Sequence, residues 1–243
     1  MSVKFGTSGL RGLATDLLGG VAGVYAAAFI RHLLANGQIR EGDKVFIGQD
    51  LRESSPEIAD ECVAAVLRAG MVPVRCGALP TPALALYSMA AGAAAIMVSG
   101  SHIPADRNGM KFYRPDGEID KGDEQSILSF AQSPADSARD TVAAADEGAL
   151  AWQLYLDRCL AILPENALKG ARVGVYQHSS VARDFLVRLL EARGAEVAPL
   201  GRSERFVPVD TEAVGEETHG RLREWATEHR LDAIVSTDAD ADR

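Results

Sequence analysis

Ala94-Ala95-Ile96-Met97-Val98-Ser99-Gly100-Ser101-His102-Ile103-Pro104-Ala105-Asp106-Arg107-Asn108-Gly109-Met110-Lys111 decides how the chain reads. Residues 94–98 are an apolar β-type run that passes into an uncharged Ser-Gly-Ser turn. Pro and Asn-Gly punctuation then lead into a second strand-like piece at 110–113. That order puts the Ser101 hydroxyl on a loop at the end of a strand. In open α/β sheets, ligands bind in the crevice outside the carboxyl ends of the strands. His102, Arg107 and Lys111 crowd the same loop.

Upstream, helical and strand-like patterns alternate. Apolar residues recur at helical spacing over 21–35, with Asn36-Gly37 as the stop and His32 as a helix-face side chain. Residues 44–48 read as a buried strand. Ser54-Ser55-Pro56-Glu57 then reads as an N-cap with Pro opening a helix that closes at Gly70. A strand at 71–76, a break at Pro80-Thr81-Pro82 and a helix at 83–91 lead to the run at 94–98. Downstream, Asp116-Gly117 reads as a tight turn and 121–132 as a covering helix. Such alternation predicts βαβ units and a largely parallel sheet with helices on both faces.

Residues 133–148 are rich in Ser, Ala and Asp and lack hydrophobic periodicity, which marks a domain boundary and hinge. Beyond it the pattern repeats: helix 150–163, strand 172–177, helix 181–193, strand 196–200, helix 217–230 and strand 232–236. The expected fold class is α/β, with two similar three-layer α/β domains carrying mixed, mostly parallel sheets. The first spans 1–140 and the second 149–243.

The chain has 243 residues, 47% of them apolar, so it can bury a substantial core. Its formal net charge of -9 argues against nucleic acid or an anionic membrane as partner. An anionic ligand would have to be drawn by a few placed cations or a metal. No apolar leader follows Met1, and no apolar run is long enough for a membrane span. Cys62, Cys76 and Cys159 have no paired spacing and read as reduced thiols of a cytoplasmic protein.

Two further stretches carry chemistry. Phe5-Gly6-Thr7-Ser8-Gly9-Leu10-Arg11-Gly12 is a glycine-rich loop from which Arg11 projects, without the Walker or dinucleotide spacing. Thr237-Asp238-Ala239-Asp240-Ala241-Asp242-Arg243 follows the last strand. Three carboxylates at alternating positions repel unless a cation holds them, and oxygen ligands suit a hard divalent ion. An EF-hand would need Gly at the sixth position of this loop, where Arg243 stands.

Together, Phe5 to Gly12, Ser99-Gly100-Ser101-His102, Asn108-Gly109-Met110-Lys111 and the aspartate loop resemble the α-D-phosphohexomutase family, in its phosphomannomutase and phosphoglucomutase branch. The resemblance covers the whole chain. It implies that Ser101 is a phosphoserine that donates and recovers a phosphoryl group, and that Asp238, Asp240 and Asp242 hold Mg²⁺ together with it. Arg11, His102, Lys111 and Arg243 would surround the transferred group, with Lys111 as a general acid or base. A phosphosugar would be the substrate and a hexose 1,6-bisphosphate the activator and intermediate.

Phosphoglucosamine mutase fits less well, because its opening motif usually has Asp where Ser8 stands. Two departures from the family pattern stand out. Ile103 replaces the usual Asn after Ser-His, and the sequence stops at the metal loop. An N-terminal portion is therefore expected, lacking the C-terminal domains that recognise the sugar and incomplete as a catalyst alone. The rival reading is a metal-binding or regulatory module without catalysis, and phosphate on Ser101 discriminates the two.

Overall fold

The apolar runs become strands and the segments between them helices in a computed structural model that describes residues 3–6, 9–132, 143–211 and 213–243. In chain order come β1 (Lys4–Phe5), β2 (Leu10–Leu13), α1 (Ala14–Leu17), α2 (Val21–Ala35), β3 (Lys44–Gln49), α3 (Ser55–Arg68) and β4 (Val72–Ala78). Next are α4 (Thr81–Ala90), β5 (Ala94–Val98), β6 (Arg107–Arg114), β7 (Gly117–Glu118), α5 (Lys121–Ala131) and β8 (Ala145–Asp146). The chain continues through α6 (Gly148–Leu160), β9 (Arg172–His178), α7 (Arg183–Glu191), β10 (Glu196–Arg202), α8 (Glu216–Glu228) and β11 (Ala233–Val235).

The first sheet has the order β1-β2-β6-β5-β3-β4-β8, with β7 paired to β6. β3 runs parallel to both β4 and β5, because α3 and α4 carry the chain back across the sheet between them. β6 runs antiparallel to β5, since only the 99–106 loop joins the two. All five residues of β5 are buried. Ala94, Ile96 and Val98 face a core built with α2, α3 and α5, while Ala95 and Met97 face a second core built with α4 and α6. This alternation makes the unit three-layered. The second sheet is smaller and wholly parallel, in the order β10-β9-β11, with α7 packed on β9 and β10.

Several details differ from the sequence reading. The Pro80-Thr81-Pro82 break is in fact a helix start: α4 begins at Thr81 with Pro80 at its N-cap, where a missing N–H costs nothing. His32 is buried, with Nε2 2.9 Å from Asp123 Oδ1 and Nδ1 2.9 Å from Ser126 Oγ, and so fastens α2 to α5. Of the expected boundary, 133–142 lies outside the described residues. The part that follows adds β8 to the first sheet, parallel to β4. α6 serves both halves: Ala151 joins the core of Phe46 and Leu84, and Leu156 packs with Ala182 and Phe185. No helix among the described residues is long and apolar enough to cross a membrane.

Candidate functional site

β3 and β5 are parallel neighbours, so the loops that leave their carboxyl ends meet at one sheet edge. Asp50 N–H donates to Val98 O (2.9 Å), which ties the loops together. The Asp50 carboxylate is wholly buried and accepts from Ser55 Oγ (2.5 Å), Ser99 Oγ (3.0 Å), Gly100 N (3.3 Å), Arg52 N (3.1 Å) and Arg52 Nε (3.2 Å). Burial pushes its pKa up, and the charge of Arg52 opposes that. Ser54 does not cap α3 with its side chain; its Oγ accepts from Asn108 Nδ2 (2.9 Å) instead.

Arg52 Nη1 donates to Pro104 O (2.7 Å) and Arg107 O (2.9 Å), and Nη2 donates to Ser101 O (2.9 Å) and Ile103 O (2.7 Å). The Phe206 ring lies over the guanidinium at 4.2 Å. Gly100 is required here, because a Cβ would sit 2.6 Å from Arg52 Cζ.

Ser101 itself is buried, with a left-handed φ of 52°. Its N–H donates to Ser99 Oγ (2.8 Å), and its Oγ donates to Asp238 Oδ2 (2.5 Å). His102 Nδ1 lies 3.3 Å from Ser101 Oγ and 3.4 Å from Arg243 Nη1.

The aspartate loop owes its shape to the alternation of Asp and Ala. Ala239 is buried, and Ala241 packs against the Leu156–Phe185 cluster, which leaves the carboxylates pointing to the other side. Asp238 N donates to Arg243 O (3.1 Å), Val181 N to Ala239 O (3.0 Å) and Thr81 N to Asp240 O (2.8 Å). Asp240 Oδ2 accepts from Thr81 Oγ1 (2.5 Å) and Lys111 Nζ (2.6 Å), and Lys111 Nζ also reaches Asp242 Oδ2 (2.5 Å).

One oxygen from each of Asp238, Asp240 and Asp242 lies within 4.8 Å of the others. Asp238 Oδ1 and Asp240 Oδ1 are buried without a hydrogen-bond partner among the described residues. Two orphaned carboxylate oxygens in a three-carboxylate cluster fit a hard divalent cation, so the residues present could hold a metal ion.

The electrostatics follow from this crowding. Burial, with Asp240 beside it, pushes Asp238 up to about 6. Burial would also raise Asp240, but the Lys111 ammonium and its hydrogen bond outweigh that and hold Asp240 below the usual carboxylate range. Burial alone would lower Lys111, yet the two carboxylates raise it above an ordinary lysine.

Ser101, His102, Lys111, Arg243 and the three aspartates are therefore brought together across the two sheets. Arg11 lies on β2 opposite Gly109 of β6; burial lowers the pKa of Arg52, Asp50 opposes that, and the charge of Arg11 adds a little to the lowering. Thr7 and Ser8 of the glycine-rich loop lie outside the described residues. Gly9, next in the loop, has φ 74°, and a Cβ there would strike the Met110 carbonyl. Asp50, Arg52 and Phe206 were not singled out in the sequence, and Ser99 and Thr81 were read only as part of the serine motif and of a chain break, with no site role of their own. The available signal was Asp50-x-Arg52 directly after a buried strand, at the sheet edge where ligands bind.

The fold and site are those of an α/β protein with a serine and an acidic triad meeting at a sheet edge. Residues 2–137 match the family model described as phosphoglucomutase/phosphomannomutase, alpha/beta/alpha domain I. The chain belongs to that family. It is 57% identical over 247 residues to a phosphomannomutase of Sinorhizobium fredii, covering 100% of this chain and 52% of that protein. It is 43% identical to a phosphomannomutase of Salmonella muenchen, covering 99% of this chain and 49% of that one. A phosphoglucosamine mutase of Parafrankia is 32% identical, with 57% of its length covered.

The chain thus spans about half the length of the curated relatives it matches. The crystal structure of a putative phosphomannomutase from Thermus thermophilus shares the fold, with a TM-score of 0.80 at 24% identity. It is covered over 56% of its length, and this chain over 100%.

Proposed function

We propose that this chain is the phosphoryl-carrying part of a phosphomannomutase-type phosphohexomutase, acting in the cytoplasm on a phosphosugar. The observation that carries the reading is Ser101 Oγ bonded to Asp238 Oδ2 beside two orphaned carboxylate oxygens. Mannose is favoured as the sugar because the relatives at 57% and 43% identity are named phosphomannomutases.

Ser101 Oγ takes a phosphoryl group from a hexose 1,6-bisphosphate. The bond from phosphorus to the sugar oxygen breaks as the bond to Oγ forms, and the proton that Ser101 loses is matched by the one that the freed sugar oxygen takes up. Given from Ser101 to the free 6-hydroxyl of a hexose 1-phosphate, the group makes the 1,6-bisphosphate; return of the group at position 1 to Ser101 then leaves the 6-phosphate, so the net change is isomerisation and the serine is phosphorylated again. Asp238, Asp240 and Asp242 would hold Mg²⁺, which when bound neutralises charge on the transferred group.

Arg11, His102 and Arg243 supply further positive or donor groups around it, Arg as a bidentate fork. Lys111 is held protonated by its two carboxylates, so it presents a cation and hydrogen-bond donor to the transferred group; a part as general acid would need those carboxylates drawn away from it, as a bound metal would do. Phosphoryl acceptance is proposed for the 243-residue chain, and interconversion of hexose 1- and 6-phosphates for a protein of the relatives' full length.

The test is to incubate the chain with mannose or glucose 1,6-bisphosphate and MgCl₂, then measure intact mass and map the phosphopeptide. One phosphoryl group on Ser101, absent from Ser101→Ala, is the expected result. An unlabelled serine would leave the metal-binding, non-catalytic reading standing, as would label on another residue.

A further inference from the structure

Arg52 is the largest of the fully buried side chains among the described residues, and the site as described gives it no role in the transfer. A buried guanidinium is tolerated only where its donors are met. Here all five N–H groups are used, one on Asp50 and four on carbonyls of Ser101, Ile103, Pro104 and Arg107. Every one of those carbonyls lies in or at the end of the loop that presents Ser101. A planar fork with fixed donor directions sets the peptide planes it binds, which a lysine cannot do.

The serine needs such a hold. Its φ of 52° is one that residues with a side chain avoid, and the surroundings must enforce it. Both sides of the residue are fixed. Arg52 holds the Ser101 carbonyl, and Ser99 Oγ, itself bonded to Asp50, receives the Ser101 N–H. Phe206, from the segment after β10, covers the guanidinium and so joins the second sheet's side of the molecule to the same device.

We infer that Arg52, oriented by Asp50 and covered by Phe206, is a positioning residue that sets the direction of Ser101 Oγ toward Asp238 without touching the transferred group. The catalytic half of this inference rests on the phosphoryl-carrier reading of Ser101; the structural half does not.

The test therefore has two arms. Arg52→Lys keeps a cation beside Asp50 but cannot span four carbonyls. In the first arm, amide hydrogen exchange is compared between wild type and variant. Exchange over 101–107 is expected to rise at least about tenfold while α2 stays unchanged. Unchanged exchange in the loop would overturn the inference, as would a uniform rise that includes α2.

In the second arm, Ser101 phosphorylation by mannose 1,6-bisphosphate is followed over time. The maximal rate is expected to fall about 100-fold with the half-saturating concentration unchanged, since misaimed reactants lose rate and not affinity. Equal rates in the two proteins would overturn the inference. A wild type that takes no label would overturn the carrier reading instead, and the exchange arm would then decide the inference alone. If Arg52→Lys does not fold, Ser99→Ala removes the other hold on Ser101 and must loosen the same loop.

Discussion

Ser101 and Asp238 stand 137 positions apart in the chain and share a 2.5 Å hydrogen bond. The bond joins the loop after β5 to the loop after β11, and the carboxylate it uses is buried beside Asp240. An ionised Asp238 is therefore held at some expense.

The expected result is that Asp238→Asn stabilises the metal-free chain at alkaline pH. The folded pKa of Asp238 is raised from 3.8 to about 6, so its contribution is full below the lower value and is lost as pH rises through the upper. Relative to wild type, the Asn variant should gain up to about 3 kcal/mol between pH 3 and pH 8, since each tenfold change in proton affinity is worth about 1.4 kcal/mol. Urea unfolding across that range in a chelator measures it. A difference that does not change with pH would contradict the assigned burial penalty.

Lys111→Met should act in the opposite sense. It leaves the buried Asp240 carboxylate without its ammonium partner, a loss of about 3–5 kcal/mol for a broken buried pair. Because Mg²⁺ can replace that charge, unfolding in MgCl₂ should recover more stability in the variant than in wild type. Equal recovery in both would mean that lysine and metal do not serve the same carboxylates.

Mg²⁺ itself should bind through the aspartates and more tightly once Ser101 carries phosphate, which adds nearly two negative charges and further ligand oxygens. Asp240→Ala should remove most of the binding, whereas Ser101→Ala should weaken it only to the level of the unphosphorylated protein. At a hundredfold excess over its dissociation constant, the ion should add about 2.7 kcal/mol to stability. Titration calorimetry on the two phosphorylation states at matched ionic strength is decisive; identical affinities would break the link between serine and metal loop.

Gly100→Ala tests the close packing under the serine loop. A methyl group there would lie 2.6 Å from Arg52 Cζ, and Arg52 cannot withdraw without breaking bonds to carbonyls. A destabilisation of about 1–3 kcal/mol is expected, in line with overpacked cores. Thermal unfolding indistinguishable from wild type would show that the arginine is free to move.

The serine and aspartate loops were legible because each is short, contiguous and written in residue types with one chemistry. Ser101 and Asp240 could be placed at strand ends because the apolar runs before them end abruptly. Asp50 and Arg52 were not legible, since in sequence they are two charged residues in the lead-in to a helix and their partners lie about fifty positions on. His32 read as a helix-face side chain because its partner Asp123 belongs to a helix 91 residues away. β8 escaped notice for another reason: two residues, Ala145 and Asp146, carry no period, and only pairing with Val74 and Arg75 makes them a strand.

α6 has a consequence for how the molecule comes apart. Ala151 sits in the core with Phe46, Val74 and Leu84, while five residues on, Leu156 closes the cluster of Ala182 and Phe185. Melting either core strips cover from the other through the same helix, so heat should release both sheets in a single calorimetric transition.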